Sequence, residues 1–322
     1  MARLVKISCL GPPPYHIDPE VPYELAVERM KAHWQRELDR VLPDRPDLIV
    51  LPEACDRPYY EPVETRNAFY RVRGNQIRDL LAENARRHHC YITYPAHIEL
   101  ADGTWRNSLQ LIDRQGNVAG TYHKNHLVPV ENTVGGLSYG HEVPLVETDF
   151  GRVAFAICFD LNFDELRLKI AGLKPDLIVF ASLYHGGLMQ AYWAYSCRAH
   201  FAGAVANLPC TILSPTGEQL ASSTNYYPFL TAVVNLDCAV VHIDENGRQF
   251  QAIKNKYGAG VTIADPGLLG SVLLTSEMEH VTALDVVEEF GLLRLDDYFT
   301  GCLEHRRQFG ASGSWRNQEE GL

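Results

Sequence analysis

Three residues that could carry chemistry each stand where a strand-like run ends. Cys158 closes the run Val153–Ile157 and opens an amphipathic stretch from Phe159 to Arg167. A thiol at a strand-to-helix turn is aimed outward from a rigid support, close to the N–H groups of the new helix, which suits a nucleophile. Packed inward, it would be one more small buried hydrophobe. Glu53 follows Pro52 at the end of Leu48–Leu51, and Lys124 ends Val118–Lys124 before an irregular segment, 125–140, that contains Glu131. Reactive groups in open α/β sheets collect beyond the carboxyl ends of strands. A thiol, whose free pKa is about 8.5, needs a base or a positive neighbour to attack. A carboxylate can take its proton, and an ammonium can stabilise an oxyanion. Taken singly, Glu53 reads equally as a surface carboxylate and Lys124 as a solvated loop lysine.

The elements that must position these groups alternate between strand and helix, the pattern of a layered α/β protein. Residues 3–9 read as a strand, and 20–42 as a helix with Leu25, Ala26, Met30, Trp34, Leu38 and Leu42 near helical spacing. The wholly apolar Leu48–Leu51 is a strand covered on both faces. A long helix is expected over 64–88, a buried strand over Cys90–Tyr94, and antiparallel hairpins over 96–122 with turns at 101–103 and 114–117. The pentapeptide Pro46-Asp-Leu-Ile-Val50 recurs letter for letter as Pro175-Asp-Leu-Ile-Val179. Each copy leads to an emerging polar residue, Glu53 in the first and Ser182 in the second, so two similar halves with sheets face to face and helices outside are expected. A helix over 188–202, strands at 204–207, 210–214, 219–223 and 231–243, a turn at Ser214–Gly217 and a helix at 291–308 complete the reading. Beyond 244 the pattern weakens, with loop signals at 244–247 and 264–267. One domain over 1–308 is expected, with a core of about 3–243, an extension over 244–308 and a flexible tail over 309–322.

Composition excludes some partners. The 322 residues are 46% apolar and 21% charged, as in an ordinary globular protein. A formal net charge of −11 with scattered basic residues argues against nucleic acid or an anionic membrane. No apolar run approaches the roughly 20 residues of a spanning helix. The alternating first ten residues read as a strand and not as an export signal. Eight cysteines with no C-x-x-C pair then fit free thiols in the cytoplasm. His123 and His126, and the run His88-His89-Cys90, read as ordinary residues and not as metal ligands.

Leu48-Ile-Val-Leu-Pro-Glu53, His123-Lys124-x-x-Leu127 with Glu131 following, and Ile157-Cys158-Phe-Asp-x-x-Phe163-x-Glu165-x-x-Arg167 resemble, in order and separation, the signature blocks of the nitrilase superfamily of carbon–nitrogen hydrolases. The resemblance covers roughly residues 3–243. It implies a four-layer αββα sandwich, commonly assembled as a homodimer or higher homo-oligomer, and a Glu–Lys–Cys triad acting without metal or organic cofactor. Carried over, Glu53 is general base then acid, Lys124 stabilises the tetrahedral intermediate, and Cys158 attacks. Glu131 positions the lysine or substrate, and the backbone N–H of Phe159 completes the oxyanion hole. True nitrilases usually follow the nucleophile with Trp-Glu; Phe159-Asp160 is closer to the amidase branches. The usual proline after the next aromatic is Asp164, and a helix that commonly reads Arg-Ala-x-Glu-Asn reads Arg198-Ala-His-Phe-Ala202. Tyr59, Tyr60, Ser182, Tyr184 and His185 are candidates for a partly aromatic pocket wall. The expected substrate is a small linear amide. A carbamoyl compound, a nitrile and a catalytically silent binding role are the alternatives. Tyr192, Trp193 and Tyr195 place aromatics on more than one helix face, consistent with a helix covered on two sides in an oligomer.

Overall fold

Runs rich in Val, Ile, Leu and Ala become strands buried on both faces, and the amphipathic stretches between them become the helices that cover them. The computed structural model describes residues 2–58, 63–265 and 267–310. The chain forms two compact units, one spanning Arg3–Leu236 and one built from Asp237 onward together with Ala2. The larger unit begins with β1 (Leu4–Leu10), α1 (Tyr23–Leu38), β2 (Leu48–Val50), α2 (Val63–Arg73), α3 (Gln76–His88), β3 (Tyr91–Glu99), β4 (Trp105–Ile112), β5 (Val118–His123) and α4 (Pro129–Thr133). It continues with β6 (Val146–Glu147), β7 (Arg152–Ile157), a 3₁₀ turn at Cys158–Asn162, α5 (Asp164–Leu173), β8 (Leu177–Ser182) and α6 (Leu188–Cys197). The last strands are β9 (His200–Val205), β10 (Thr211–Leu213), β11 (Gln219–Ser222) and β12 (Phe229–Asn235).

Two six-stranded sheets result, in the orders β12-β1-β2-β3-β4-β5 and β11-β10-β9-β8-β7-β6. Each has three parallel strands in its middle, an antiparallel strand on one side and two on the other. Ile7, Val50 and Leu109 of one sheet share a buried apolar cluster with Phe155, Ile157, Val179 and Ile212 of the other, so the sheets pack face to face. Met30, Trp34, Phe69 and Leu81 cover the outer face of the first, against Ile49 and Ile92. Leu166, Ile170 and Trp193 cover that of the second, against Ile178 and Phe180. The architecture is the αββα sandwich expected from the sequence. Each fully buried aliphatic or aromatic side chain contributes about 1.5–3 kcal/mol to it.

The repeated pentapeptide has a physical job. Asp47 N donates to Lys6 O and its carbonyl accepts from Tyr91 N, while its carboxylate accepts from Lys6 N at 2.9 Å. Asp176 does the same in the second sheet: its N donates to Arg152 O, its carbonyl accepts from His200 N, and its carboxylate accepts from Arg152 N at 2.8 Å. Each aspartate therefore sets the register of three parallel strands at their N-terminal edge. That alignment brings the opposite ends, where Glu53, Cys158 and Ser182 emerge, level with one another.

Several boundaries differ from the sequence reading. The helix expected over 64–88 is two helices, because Gly74 takes φ +49 and its N–H closes α2 on Tyr70 O. The helix expected over 20–42 is shorter: the extended Pro22 starts it late, and a separate 3₁₀ turn forms at Leu42–Asp44. The helix expected over 188–202 ends at Cys197, where Arg198 turns left-handed at φ +55. His200–Ala202, read as helix, instead start the third parallel strand, where Asp176 receives them. The irregular segment after Lys124 contains α4, opened by Pro129 in the first helical position. The single strand expected over 231–243 is broken at Leu236–Asp237, its two parts lying in different sheets.

The second unit has its own sheet and core. Its elements are β13 (Cys238–His242), α7 (Gly247–Tyr257), β14 (Val261–Ala264), β15 (Ser271–Ser276), α8 (Ala283–Glu289) and α9 (Leu295–Gly310). The three strands are antiparallel in the order β13-β15-β14, and Val241, Ile253, Leu274 and Val286 fill the core. Thr282 and Asp285 cap α8 reciprocally, side chain to backbone, at 3.0 and 2.7 Å. No helix among the described residues is long and apolar enough to cross a membrane.

Candidate functional site

Cys158 follows directly on β7 with φ +50, a left-handed conformation that costs a non-glycine residue about 1–3 kcal/mol. Asp160, wholly buried, holds the turn in that shape. One of its carboxylate oxygens accepts from Ile157 N at 3.0 Å and from the Tyr122 hydroxyl at 2.7 Å; the other accepts from His126 N at 2.8 Å. The turn is thereby tied to β5 and to the segment that follows Lys124. Trp193 Nε1 donates to Leu161 O at 3.0 Å and pins the far side. His126 stacks on Phe163 and hydrogen-bonds to Asp160 and Glu165. Burial pulls its pKa down, but those two carboxylates outweigh it and hold it above the ordinary histidine value.

Lys124 is 2% exposed, and its backbone is clamped on both sides. Its N–H donates to Asn107 O, and its carbonyl accepts from Gly140 N. A side chain at Gly140 would stand 2.1 Å from His123 O, so only glycine lets the loop return this closely. The ammonium donates to Glu53 Oε1 at 2.9 Å and to both oxygens of Glu131 at 2.9 and 3.0 Å. Asn107 Nδ2 donates to Glu53 Oε1 at 2.8 Å and reaches Glu131 Oε1 at 3.3 Å, bridging the two carboxylates. Glu53 Oε2 accepts from Leu183 N at 3.2 Å, just past the second repeat strand. Glu131 also accepts from Val128 N at 2.7 Å, which closes the start of α4.

The Cys158 thiol lies against this cluster, within electrostatic reach of Glu53, Lys124 and Ser182. Burial first, then the Glu53 carboxylate, push it up to about 12, against the pull of Lys124 and Ser182. Burial pulls Lys124 the other way, but Glu53, Cys158 and Glu131 together hold it above the ordinary lysine value. The resting site is therefore a neutral thiol beside an ammonium held by carboxylates. Such a set can pass a proton from sulfur to carboxylate as the sulfur attacks, and can meet a developing oxyanion with positive charge.

Glu53, Lys124, Glu131 and Cys158, chosen from the sequence, come together. Ser182 joins them, and its hydroxyl is also bonded to the backbone of Tyr184. Tyr184 lies near the thiol and donates to Asn162 Oδ1 at 3.2 Å. Phe159 packs edge-on against Phe163. His185 accepts from Gly187 N through Nδ1 and shapes the start of α6. Tyr59 and Tyr60 lie outside the described residues. Sequence reasoning gave no role to Asn107 or Asp160. Asn107 left a trace, being a polar residue in phase with Trp105, Leu109 and Leu111 on the buried face of β4. Also unanticipated is a small cavity beside Glu53 walled by Pro13, Tyr15, His33, Trp34, Arg57 and Leu183. Among the described residues, no group of three or more His, Cys, Asp or Glu side chains is disposed to hold a metal ion.

The family profile described as carbon-nitrogen hydrolase matches residues 9–226, which lie within the larger unit and include all four clustered residues. The chain belongs to the carbon–nitrogen hydrolase family. Among solved structures, the NitN amidase from Neterenkonia sp. AN1 superposes with TM-score 0.58 at 16% identity, covering 71% of this chain and 92% of that one. Nit3 of Saccharomyces cerevisiae, a member of branch 10 of the nitrilase superfamily, gives 0.56 at 17%, covering 72% and 90%. These likenesses establish the carbon–nitrogen hydrolase fold. Deaminated glutathione amidase of Bos taurus is 27% identical over 169 residues, 47% of this chain and 50% of its own length. The chain spans about half the length of that curated relative, and 50% and 35% of two other hydrolases it matches.

Proposed function

We propose that this carbon–nitrogen hydrolase is a thiol amidohydrolase that cleaves the non-peptide C–N bond of a small linear amide. The supporting observation is the Lys124 ammonium, buried between Glu53 and Glu131, with the Cys158 thiol beside the same Glu53. Cys158 Sγ attacks the amide carbon while Glu53 takes the thiol proton. The elevated thiol pKa suits this order, because the nucleophile is uncovered only as it reacts. The oxyanion forms against Lys124 and the backbone N–H of Phe159. Glu53 then returns its proton to the leaving nitrogen, the C–N bond breaks, and ammonia or an amine departs to leave a thioester. Water, deprotonated by Glu53, attacks that thioester; the C–S bond breaks, the sulfur recovers its proton and the acid is released. Glu131 and Asn107 hold the lysine and the base in place through both halves.

A panel of linear amides, N-carbamoyl amines and aliphatic nitriles tests the reading by product. Ammonia with the matching acid, and no carbon dioxide, is expected from the amides. Carbon dioxide from the carbamoyl compounds in preference would make the enzyme a carbamoylase, and turnover of nitriles alone would make it a nitrilase. No turnover of any of the three would overturn the proposal.

Asn107 gives a sharper internal test. Asn107→Asp replaces a donor shared by two carboxylates with a third carboxylate. Turnover at pH 7 is expected to fall at least about tenfold, the value of one lost charge-assisted bond. The acid limb of kcat/KM is expected to move to higher pH, because a like charge opposes ionisation of its neighbours. An unmoved pH profile would make Asn107 a packing residue only.

A further inference from the structure

Glu53 leaves β2 through a turn in which the next residue, Ala54, takes φ +46, a left-handed conformation that strains an alanine. Asp56, wholly buried, anchors the end of that turn. Its carboxylate accepts from the Tyr94 hydroxyl at 2.5 Å and from Arg73 Nη1 at 3.0 and 3.2 Å. The main chain of Cys55 is held as well. Its N–H donates to Pro95 O at 2.9 Å, and its carbonyl accepts from Trp34 Nε1 at 2.9 Å. The nucleophile's turn is built in the same way. Cys158 is left-handed, and Asp160, two positions on and wholly buried, accepts from the Tyr122 hydroxyl.

Arg73 and Asp56 are 4% and 0% exposed, so both charges are taken out of water. A buried ion pair is weak evidence of added stability; one well-attested use is to specify a single arrangement. Here the arrangement reaches Glu53 twice. The first hold is the turn itself, through Asp56. The second runs through the sheet. From the last turn of α2, Arg73 Nη2 donates to His97 O at 2.9 Å. His97 on β3 lies in register with Asn107 on β4, and Asn107 Nδ2 donates to Glu53 Oε1 at 2.8 Å. One guanidinium thus ties the backbone that carries Glu53 to the strand pair that carries the donor to its carboxylate.

We propose that Asp56 and Arg73 are positioning residues for the general base, holding the Glu53 carboxylate beside Lys124 and Cys158 without touching substrate. Their effect on turnover rests on the amidohydrolase reading. Their effect on the place of Glu53 does not.

Asp56→Asn alone strands the Arg73 charge in the interior and is expected to fold poorly. The test therefore uses Asp56→Asn/Arg73→Met, which removes both charges together. Its melting temperature is expected to stay within a few degrees of wild type, since a buried pair replaced as a unit costs little. Amide kcat is expected to fall about 10- to 100-fold, the effect of a displaced catalytic group. KM should change little, because the pair makes no contact with substrate. Arg73→Lys, which keeps the charge and loses the fork, is expected to retain an intermediate kcat. A kcat in the double variant within about twofold of wild type, or a loss carried by KM, would overturn the proposal.

A cycle of urea midpoints reads the same placement without turnover. Lys124→Met strands the Glu53 carboxylate only while the turn holds it in place. The drop in midpoint that Lys124→Met causes is therefore expected to shrink by about half in the Asp56→Asn/Arg73→Met background. Equal drops in the two backgrounds would overturn the proposal. A smaller drop in the second, from a wild type that hydrolyses no amide, would retain the positioning role and reject the hydrolase.

Discussion

Replacing Cys158 with alanine is expected to lower amide turnover by at least about 10⁴-fold, as loss of a covalent nucleophile does. The melting temperature should stay within a few degrees of wild type. The two halves of this prediction have separate reasons. Under the proposed mechanism turnover is lost because, among the described residues, the other groups at the site are occupied: Glu53 and Glu131 are engaged with Lys124, and the Ser182 hydroxyl is committed to Tyr184. Stability survives because the turn is shaped by Asp160 and its bonds to Ile157, Tyr122 and His126, none of which involves the sulfur. Alanine and cysteine also bear the same strain at φ +50, so the substitution adds none. Ammonia release and a thermal melt measure both halves. Turnover at more than a hundredth of the wild-type rate would remove Cys158 from the mechanism. Iodoacetamide labelling needs peptide mapping, since Cys302 is exposed and will react alongside it.

The second large effect is expected at Lys124, and it falls on folding as well as on chemistry. Lys124→Met keeps the length and volume of the side chain but strands Glu53 and Glu131 without their shared cation. Removing one partner of a buried ion pair costs about 3–5 kcal/mol, and Lys124, at 2% exposed, is such a partner. A urea melt should register that loss. Turnover should fall by about 10²- to 10³-fold, as when a group facing the oxyanion is removed. Lys124→Met/Glu131→Gln separates the two contributions. Removing one of the stranded charges should return part of the stability and none of the turnover. An unfolding midpoint for Lys124→Met equal to that of the wild type would mean that the ammonium does not hold the carboxylates together.

Much of this was written in local pattern. A wholly apolar run that stops at a polar residue has few ways to fold, so Leu48–Leu51 and Val153–Ile157 announced strands with Glu53 and Cys158 at their ends. The repeated Pro-Asp-Leu-Ile-Val marked two sheets of one plan, and its aspartates explain why the repeat includes a polar letter. Boundaries were less legible. Whether 64–88 was one helix or two turned on the single φ of Gly74. Whether 198–202 continued a helix turned on Asp176, 24 residues before His200, waiting to accept its N–H. Likewise, 231–243 read as one strand although Asp237 divides it between two sheets.

The amino-acid order alone determined which residues emerge from strand ends, because strand periodicity and apolar runs are properties of neighbouring residues. Only the tertiary structure decided what those residues meet. Asn107 bridges carboxylates 54 positions before it and 24 after, and Leu183 N reaches Glu53 across 130. Hydrogen bonding and desolvation act between groups that folding brings within a few ångströms, and sequence distance carries no record of either.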